Sequence, residues 1–218
     1  MYLDIESKTV LEVRIIRVAT ILTLFAILGS GLVTFTYQIT AQHIAANERA
    51  TLLRTLNALI SQDQYDNDLF NDFIWVQNEE LLGTHQPVIL YRARKAEQPV
   101  AVLLIPVAPS GYNGAIRLLV GINYNGTLLG VRVISHQETP GLGDYIETRR
   151  SNWILDFKGR SLTNPNESGW KVKRDGGVFD QLTGATITPR AVVKAVHKAL
   201  LFYQQQRTAL FNKDNAAP

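Results

Sequence analysis

Residues 180–188 read Asp-Gln-Leu-Thr-Gly-Ala-Thr-Ile-Thr, and Pro189 follows. Three hydroxyls, on Thr183, Thr186 and Thr188, surround Gly184 just upstream of a run with helical spacing. Such a place suits a phosphate. Backbone N–H groups at a helix start lack intrahelical partners, and the helix dipole favours negative charge there. Thr188 reads as the N-cap, and Pro189 falls where its missing N–H costs nothing. Val192, Val196, Ala199, Leu200 and Tyr203 recur at helical spacing and predict one buried face. Read by themselves, Thr183 and Thr188 are also consistent with plain caps of a surface helix.

Composition narrows the chemistry. The 218-residue chain contains no cysteine. That removes disulfides, thiol catalysis, cysteine-ligated zinc and iron–sulfur clusters held by this chain. A redox role would therefore use an organic cofactor or haem. The histidines, His43, His85, His136 and His197, lack metal-site spacing. The net charge is only +3, with no basic block interleaved with aromatics, which argues against a nucleic-acid partner. No Ser/His/Asp order, His-Glu-x-x-His, Walker loop or Gly-x-Gly-x-x-Gly fingerprint occurs.

Asp180-Gln181-Leu182-Thr183-Gly184-Ala185-Thr186 resembles the Asp-x-x-(Ser/Thr)-Gly-Ala-Thr acceptor of the FMN-binding domain family. Two upstream stretches match the same family in the expected order. His136-Gln137-Glu138-Thr139-Pro140-Gly141-Leu142-Gly143 resembles its His-x-Glu-Thr-Pro-Gly-Leu-Gly loop, and Ser110-Gly111-Tyr112-Asn113-Gly114-Ala115-Ile116 its Gly-Tyr-x-Gly turn. The resemblance implies that a flavin transferase joins an FMN phosphate to Thr186 as a phosphoester. Thr183, Gly184, Ala185, Ile187 and Thr188 would then surround the phosphate, with Gly184 admitting close backbone approach. Asp180 would serve the transferase or cap the turn. At the ring, Tyr112, Pro140 and Leu142 offer apolar surface, Gly141 and Gly143 admit the backbone, and Thr139 and Glu138 lie beside it. Glu138 has the alternative of bracing its own loop, and His136 that of partnering Glu138.

The elements that must position these residues follow from patterning. Val18–Tyr37 carries no charge over twenty residues, a length of roughly 30 Å as a helix and one bilayer core. Lys8, Arg14 and Arg17 precede it, which predicts a cytoplasmic N-terminus, although Arg49 and Arg54 follow it. A cleaved signal peptide is the rival reading. Residues 41–62 read as a helix with Ile44, Leu52, Leu56, Leu59 and Ile60 on one face. Asp63–Asp72 reads as a solvated connector with a short helix. Val88–Arg92 and Val100–Ile105 predict strands around a turn at Lys95–Gln98. Ile116, Leu118, Val120 and Ile122 predict a half-buried strand, and Asn125-Gly126 a hairpin returning through Leu129, Val131 and Val133 to His136. Phe157, Trp170 and Val172 suggest further strands.

The expected fold class is α+β: one N-terminal transmembrane helix, then an FMN-binding domain with antiparallel sheet and packed helices. Its expected divisions are a cytoplasmic N-terminus at 1–17, the span at 18–37, a helical linker at 38–87, the flavin domain at 88–207 and a disordered tail at 208–218. One span with these three motifs resembles the RnfG/RsxG family of the Rnf/Rsx ion-translocating electron-transport complexes. That implies a single-pass bacterial inner-membrane protein with a periplasmic flavin domain. It would be a redox component and no independent catalyst, working with the other membrane and iron–sulfur subunits, a maturing flavin transferase and the lipid bilayer. The flavin-bearing C subunit of the sodium-pumping NADH–quinone reductase shares fold and attachment. A membrane-anchored flavin sensor and an anchored binding module without flavin are the readings from other classes.

Overall fold

Alternating apolar residues after Val88 close into an antiparallel sheet in a computed structural model that describes residues 2–212, with side chains described from residue 16 on apart from 38–48. Strands β1 (Phe73–Val76), β2 (Val88–Lys95), β3 (Gln98–Leu104), β4 (Val107–Ala108), β5 (Ile116–Asn123) and β6 (Leu128–Ser135) form one six-stranded sheet. Its order is β1-β2-β3-β5-β4, with β6 also paired to β5. A two-residue turn at Ala96 and Glu97, both at positive φ, joins β2 to β3. The Asn125-Gly126 turn joins β5 to β6, and the Gly126 amide donates to the Asn123 carbonyl at 2.8 Å.

The sheet carries core on both faces. Helix α3 (Ile187–Leu210) packs on one of them, and Val192, Val196, Ala199, Leu200 and Tyr203 are all at most 2% exposed, as their spacing predicts. Val192, Val196 and Leu200 each contribute about 1.5–3 kcal/mol by leaving water. Leu56, Leu59, Ile60 and Leu69 cover the other face with Tyr91, Leu103 and Leu119. This second layer corrects the expectation of a half-buried β5: Arg117 is its one exposed residue, and Leu119 is buried opposite Leu118 and Val120. Gly121 has a packing reason, because a Cβ there would sit 3.3 Å from Leu59.

Helix α1 (Tyr2–Asn57) contains the apolar segment, and Ile16–Tyr37 is long and apolar enough to cross a membrane. Thr20, Thr23, Ser30 and Thr36 turn their hydroxyls back to carbonyls four residues earlier, at 2.6–2.8 Å. No hydroxyl of these four is left without an acceptor, as hydrocarbon surroundings require. The chain divides into two units, Met1–Thr51 and Leu52–Pro218. Lys8, Arg14 and Ile44 lie outside the described side chains.

Three expectations need correction. The 38–87 linker is part of the folded unit from Leu52 on: it holds β1 and helix α2 (Glu79–Leu82). Its acidic stretch does hold the short helix expected of it, a 3-10 turn at Gln62–Gln64, and Asp63 and Asp66 are exposed, but the stretch is also anchored, because Leu69 is 1% exposed and Asp72 binds Arg92 and Arg94. The suggested strands after Phe157 are short 3-10 turns around an aromatic cluster. Phe157 stacks on Phe179 at 4.6 Å, and Trp170 meets Phe179 at 5.3 Å. Burial of rings produced apolar residues there without the period of a strand. Finally, residues 208–211 are docked, with Leu210 and Phe211 buried; the remainder of the expected tail, from residue 213, lies outside the described residues.

Candidate functional site

The acceptor stretch folds as a tight turn leading into α3. The Ala185 amide donates to the Leu182 carbonyl at 3.1 Å, and Gly184 takes φ +80°. Upstream, the Trp153 indole N–H donates to the Asp180 carbonyl at 2.6 Å, which ties the start of the stretch to the aromatic cluster. The Asp180 carboxylate points to Lys173 at 2.5 Å and lines no part of the cavity described next.

Helix α3 begins at Ile187, earlier than the Thr188-Pro189 pair predicts. Thr186 occupies the N-cap position with φ −84° and ψ −29°, already helical, and its hydroxyl makes no capping bond. Thr188 lies inside the first turn, fully buried, and donates its hydroxyl to the Glu138 carboxylate. The cap role expected of Thr188 is thus displaced by a partner fifty residues away in sequence. The hydroxyl of Thr186 is left free for chemistry at the start of a 24-residue helix.

The β5–β6 hairpin delivers the second motif to the same place. Tyr112, Glu138, Thr139, Leu142, Gly143, Gly184, Ala185, Thr186, Ile187 and Thr188 line one cavity of about 490 Å³. Three segments separated in sequence meet there. Thr183 is exposed on the turn, and Pro140 and Gly141 belong to the loop; none of the three lines the cavity. Tyr112, Leu142 and Ile187 are 44–66% exposed, and their apolar surface suits a flat ring.

Glu138 holds the segments together. Its Oε1 accepts the Asn113 amide at 3.1 Å, and Oε2 accepts the Thr188 hydroxyl. Asn113 also donates its side-chain amide to Thr139 Oγ1 at 3.0 Å. His136 does partner Glu138, through backbone: Nδ1 accepts the Glu138 amide at 3.0 Å while Nε2 meets Glu147 at 2.9 Å. With Nδ1 accepting, Nε2 is the nitrogen that donates to Glu147. The Arg149 guanidinium, with His136 adding to it, holds the Glu147 carboxyl below its ordinary range. Asp144 accepts the Gly141 amide at 2.7 Å and pairs with Arg150 at 3.0 Å, so it closes the loop. Reading by residue type missed Asn113, although it lies within the Gly-Tyr-x-Gly turn.

The cavity suits FMN on observations of its own. Its volume falls within the range of small-molecule sites. The first-turn amides of α3 have no intrahelical partners and suit a phosphate held on Thr186. Gly184 tests the close approach. A Cβ there would lie 2.9 Å from Leu142 Cδ2, and a β-branched residue at φ +80° is strained by about 1–2 kcal/mol. Gly184→Val is therefore expected to lose most flavin attachment, read as flavin fluorescence per mole of denatured protein. Gly176→Val is the control, because Gly176 has φ +83° and open surroundings and should load normally.

Comparison with known proteins agrees with this geometry. Residues 111–201, which contain every residue lining the cavity, match the FMN-binding domain family, and residues 11–59 match the RnfG N-terminal region. The chain is 50% identical to the G subunit of the ion-translocating oxidoreductase complex of Vibrio cholerae over 195 residues, 89% of this chain and 93% of that protein. The corresponding protein of Pseudoalteromonas atlantica is 48% identical over 89% of this chain and 91% of its own length. That of Shewanella amazonensis is 43% identical over 95% and 98%.

Proposed function

Because this chain belongs to the RnfG family of ion-translocating oxidoreductase complexes, we propose that it relays electrons within such a complex through an FMN joined covalently to Thr186. The observation that carries this reading is the free Thr186 hydroxyl, in a cavity that three separate segments build at the start of α3. FMN supplies reversible electron transfer there. The chain's own residues bind and orient it. Thr186 Oγ1 provides the bridging oxygen, the first-turn amides of α3 neutralise phosphate charge, and Gly184 admits the backbone. Tyr112, Leu142 and Ile187 shield the ring from water, and Glu138 fixes the wall. A covalent link keeps the cofactor where free FMN is scarce and leaves the ring chemically unmodified.

The apolar segment of α1 anchors the protein in the membrane. Basic residues ahead of it support a cytoplasmic N-terminus and a flavin domain across the inner membrane. The partners are the other membrane and iron–sulfur subunits of the complex, and a flavin transferase matures the chain. The test co-expresses the full chain with such a transferase. A denatured band that fluoresces, with the adduct mapped to Thr186 by peptide mass spectrometry, is the expected result. A dark band alongside a fluorescent control substrate would leave an anchored module without covalent flavin.

A further inference from the structure

Glu138 is only 4% exposed, yet its carboxylate enters no ion pair among the described residues. The other buried acid of the same loop, Asp144, has Arg150, and Asp72 has two arginines. Glu138 has two neutral donors, the Asn113 amide and the Thr188 hydroxyl. No lysine, arginine or histidine lines the cavity, so Glu138 is its single charged wall residue among the described residues. A buried carboxylate without a cation is costly to keep. The surroundings are nevertheless cut to its shape: a Cβ on Gly143 would lie 2.6 Å from Oε2, and one on Gly111 2.8 Å from Oε1. Bracing the loop would need only a group that accepts these bonds. The charge itself calls for another use.

We propose that Glu138 sets the potential of the flavin held in this cavity, by placing in its wall a negative charge that no cationic side chain pairs with. The inference rests on the flavin reading above. A fixed charge in a water-poor site is weakly screened, and charge near a bound cofactor is a principal control on its electronics. Negative charge opposes the added electrons of the reduced form, so Glu138 keeps the flavin a stronger reductant than the cavity would otherwise make it.

Spectroelectrochemical titration of the full, transferase-loaded chain in detergent tests this. In Glu138→Gln and Glu138→Ala, the ratio of reduced to oxidised flavin at the wild-type midpoint should rise about tenfold, an upward move of about 30 mV for a two-electron couple. Glu138→Asp keeps the charge at a shifted position, and its ratio should rise clearly less than that of either neutral variant. Thermal unfolding of the unloaded variants reports separately on the fold. An unchanged ratio in the loaded neutral variants overturns the proposal. So does loss of attachment in both of them with attachment kept in Glu138→Asp, since the carboxylate would then build the site and not tune it. A dark wild-type band removes the flavin reading itself, and is seen before any titration begins.

Discussion

Thr186→Ala should abolish covalent flavin while leaving the fold and its stability almost unchanged. Both halves of that result follow from the start of α3. Alanine has no oxygen to bridge to phosphorus, so the effect on attachment is all or none, and in-gel fluorescence should fall to background. Electron transfer by a complex containing the variant should fall with it. The stability half separates this site from an ordinary helix cap. Replacing a capping threonine by alanine costs about 0.5–2 kcal/mol. The Thr186 hydroxyl makes no capping bond, so its loss should cost within about 0.5 kcal/mol, as for a surface change. Thr186→Ser keeps the oxygen and loses the methyl group that stiffens the side chain, and should attach flavin more slowly. A destabilised Thr186→Ala domain with fluorescence intact would make Thr186 a cap and move the acceptor elsewhere.

The parts of this site that were legible in the sequence are those written in local periodicity. The β5–β6 hairpin follows from alternation around Asn125-Gly126, and the buried face of α3 follows from five apolar residues at helical spacing. Both patterns survive because the same residues that set the local conformation also make the core. What local reading misplaced was decided by partners far along the chain. Thr188-Pro189 has the form of a cap followed by a first helical residue, but Glu138 takes the Thr188 hydroxyl and the helix starts sooner. Trp170 and Val172 look like strand residues because they are apolar, but the partners of Trp170 are other rings, and Val172 opens a 3-10 turn. Arg92 and Arg94 sit two apart in β2 and so share one face of the strand, and nothing local marks that face as buried. They are 5% and 8% exposed, because Asp72 and the end of α3 cover them.

That last group carries the second large prediction: Asp72→Ala should cost about 3–5 kcal/mol of stability, the scale for removing one partner of a buried ion pair. Asp72 Oδ1 meets Arg92 Nε at 2.5 Å, and Oδ2 meets Arg94 Nε at 2.9 Å. Asn67 donates to the same carboxylate at 3.0 Å. The two guanidiniums then reach the C-terminal end of α3. Arg94 donates to the Phe211 carbonyl at 3.1 Å, and Arg92 reaches the Leu210 and Asn212 carbonyls at 3.4 Å. These oxygens include the orphan acceptors of a helix end, where positive charge is favoured by the dipole. Removing Asp72 strands two buried cations, and the surface scale of about 0–1 kcal/mol for an ion pair does not apply. At roughly 2–4 °C per kcal/mol for a domain of this size, the melting temperature should drop by about 10 °C, read by near-ultraviolet circular dichroism. Because one helix joins this anchor to Thr186, the variant should also take up flavin poorly near its melting temperature and normally well below it. A variant with unchanged melting would mean that water already screens the pair. A variant with lowered melting but no flavin at any temperature would place the coupling in the shape of the site and not in its stability.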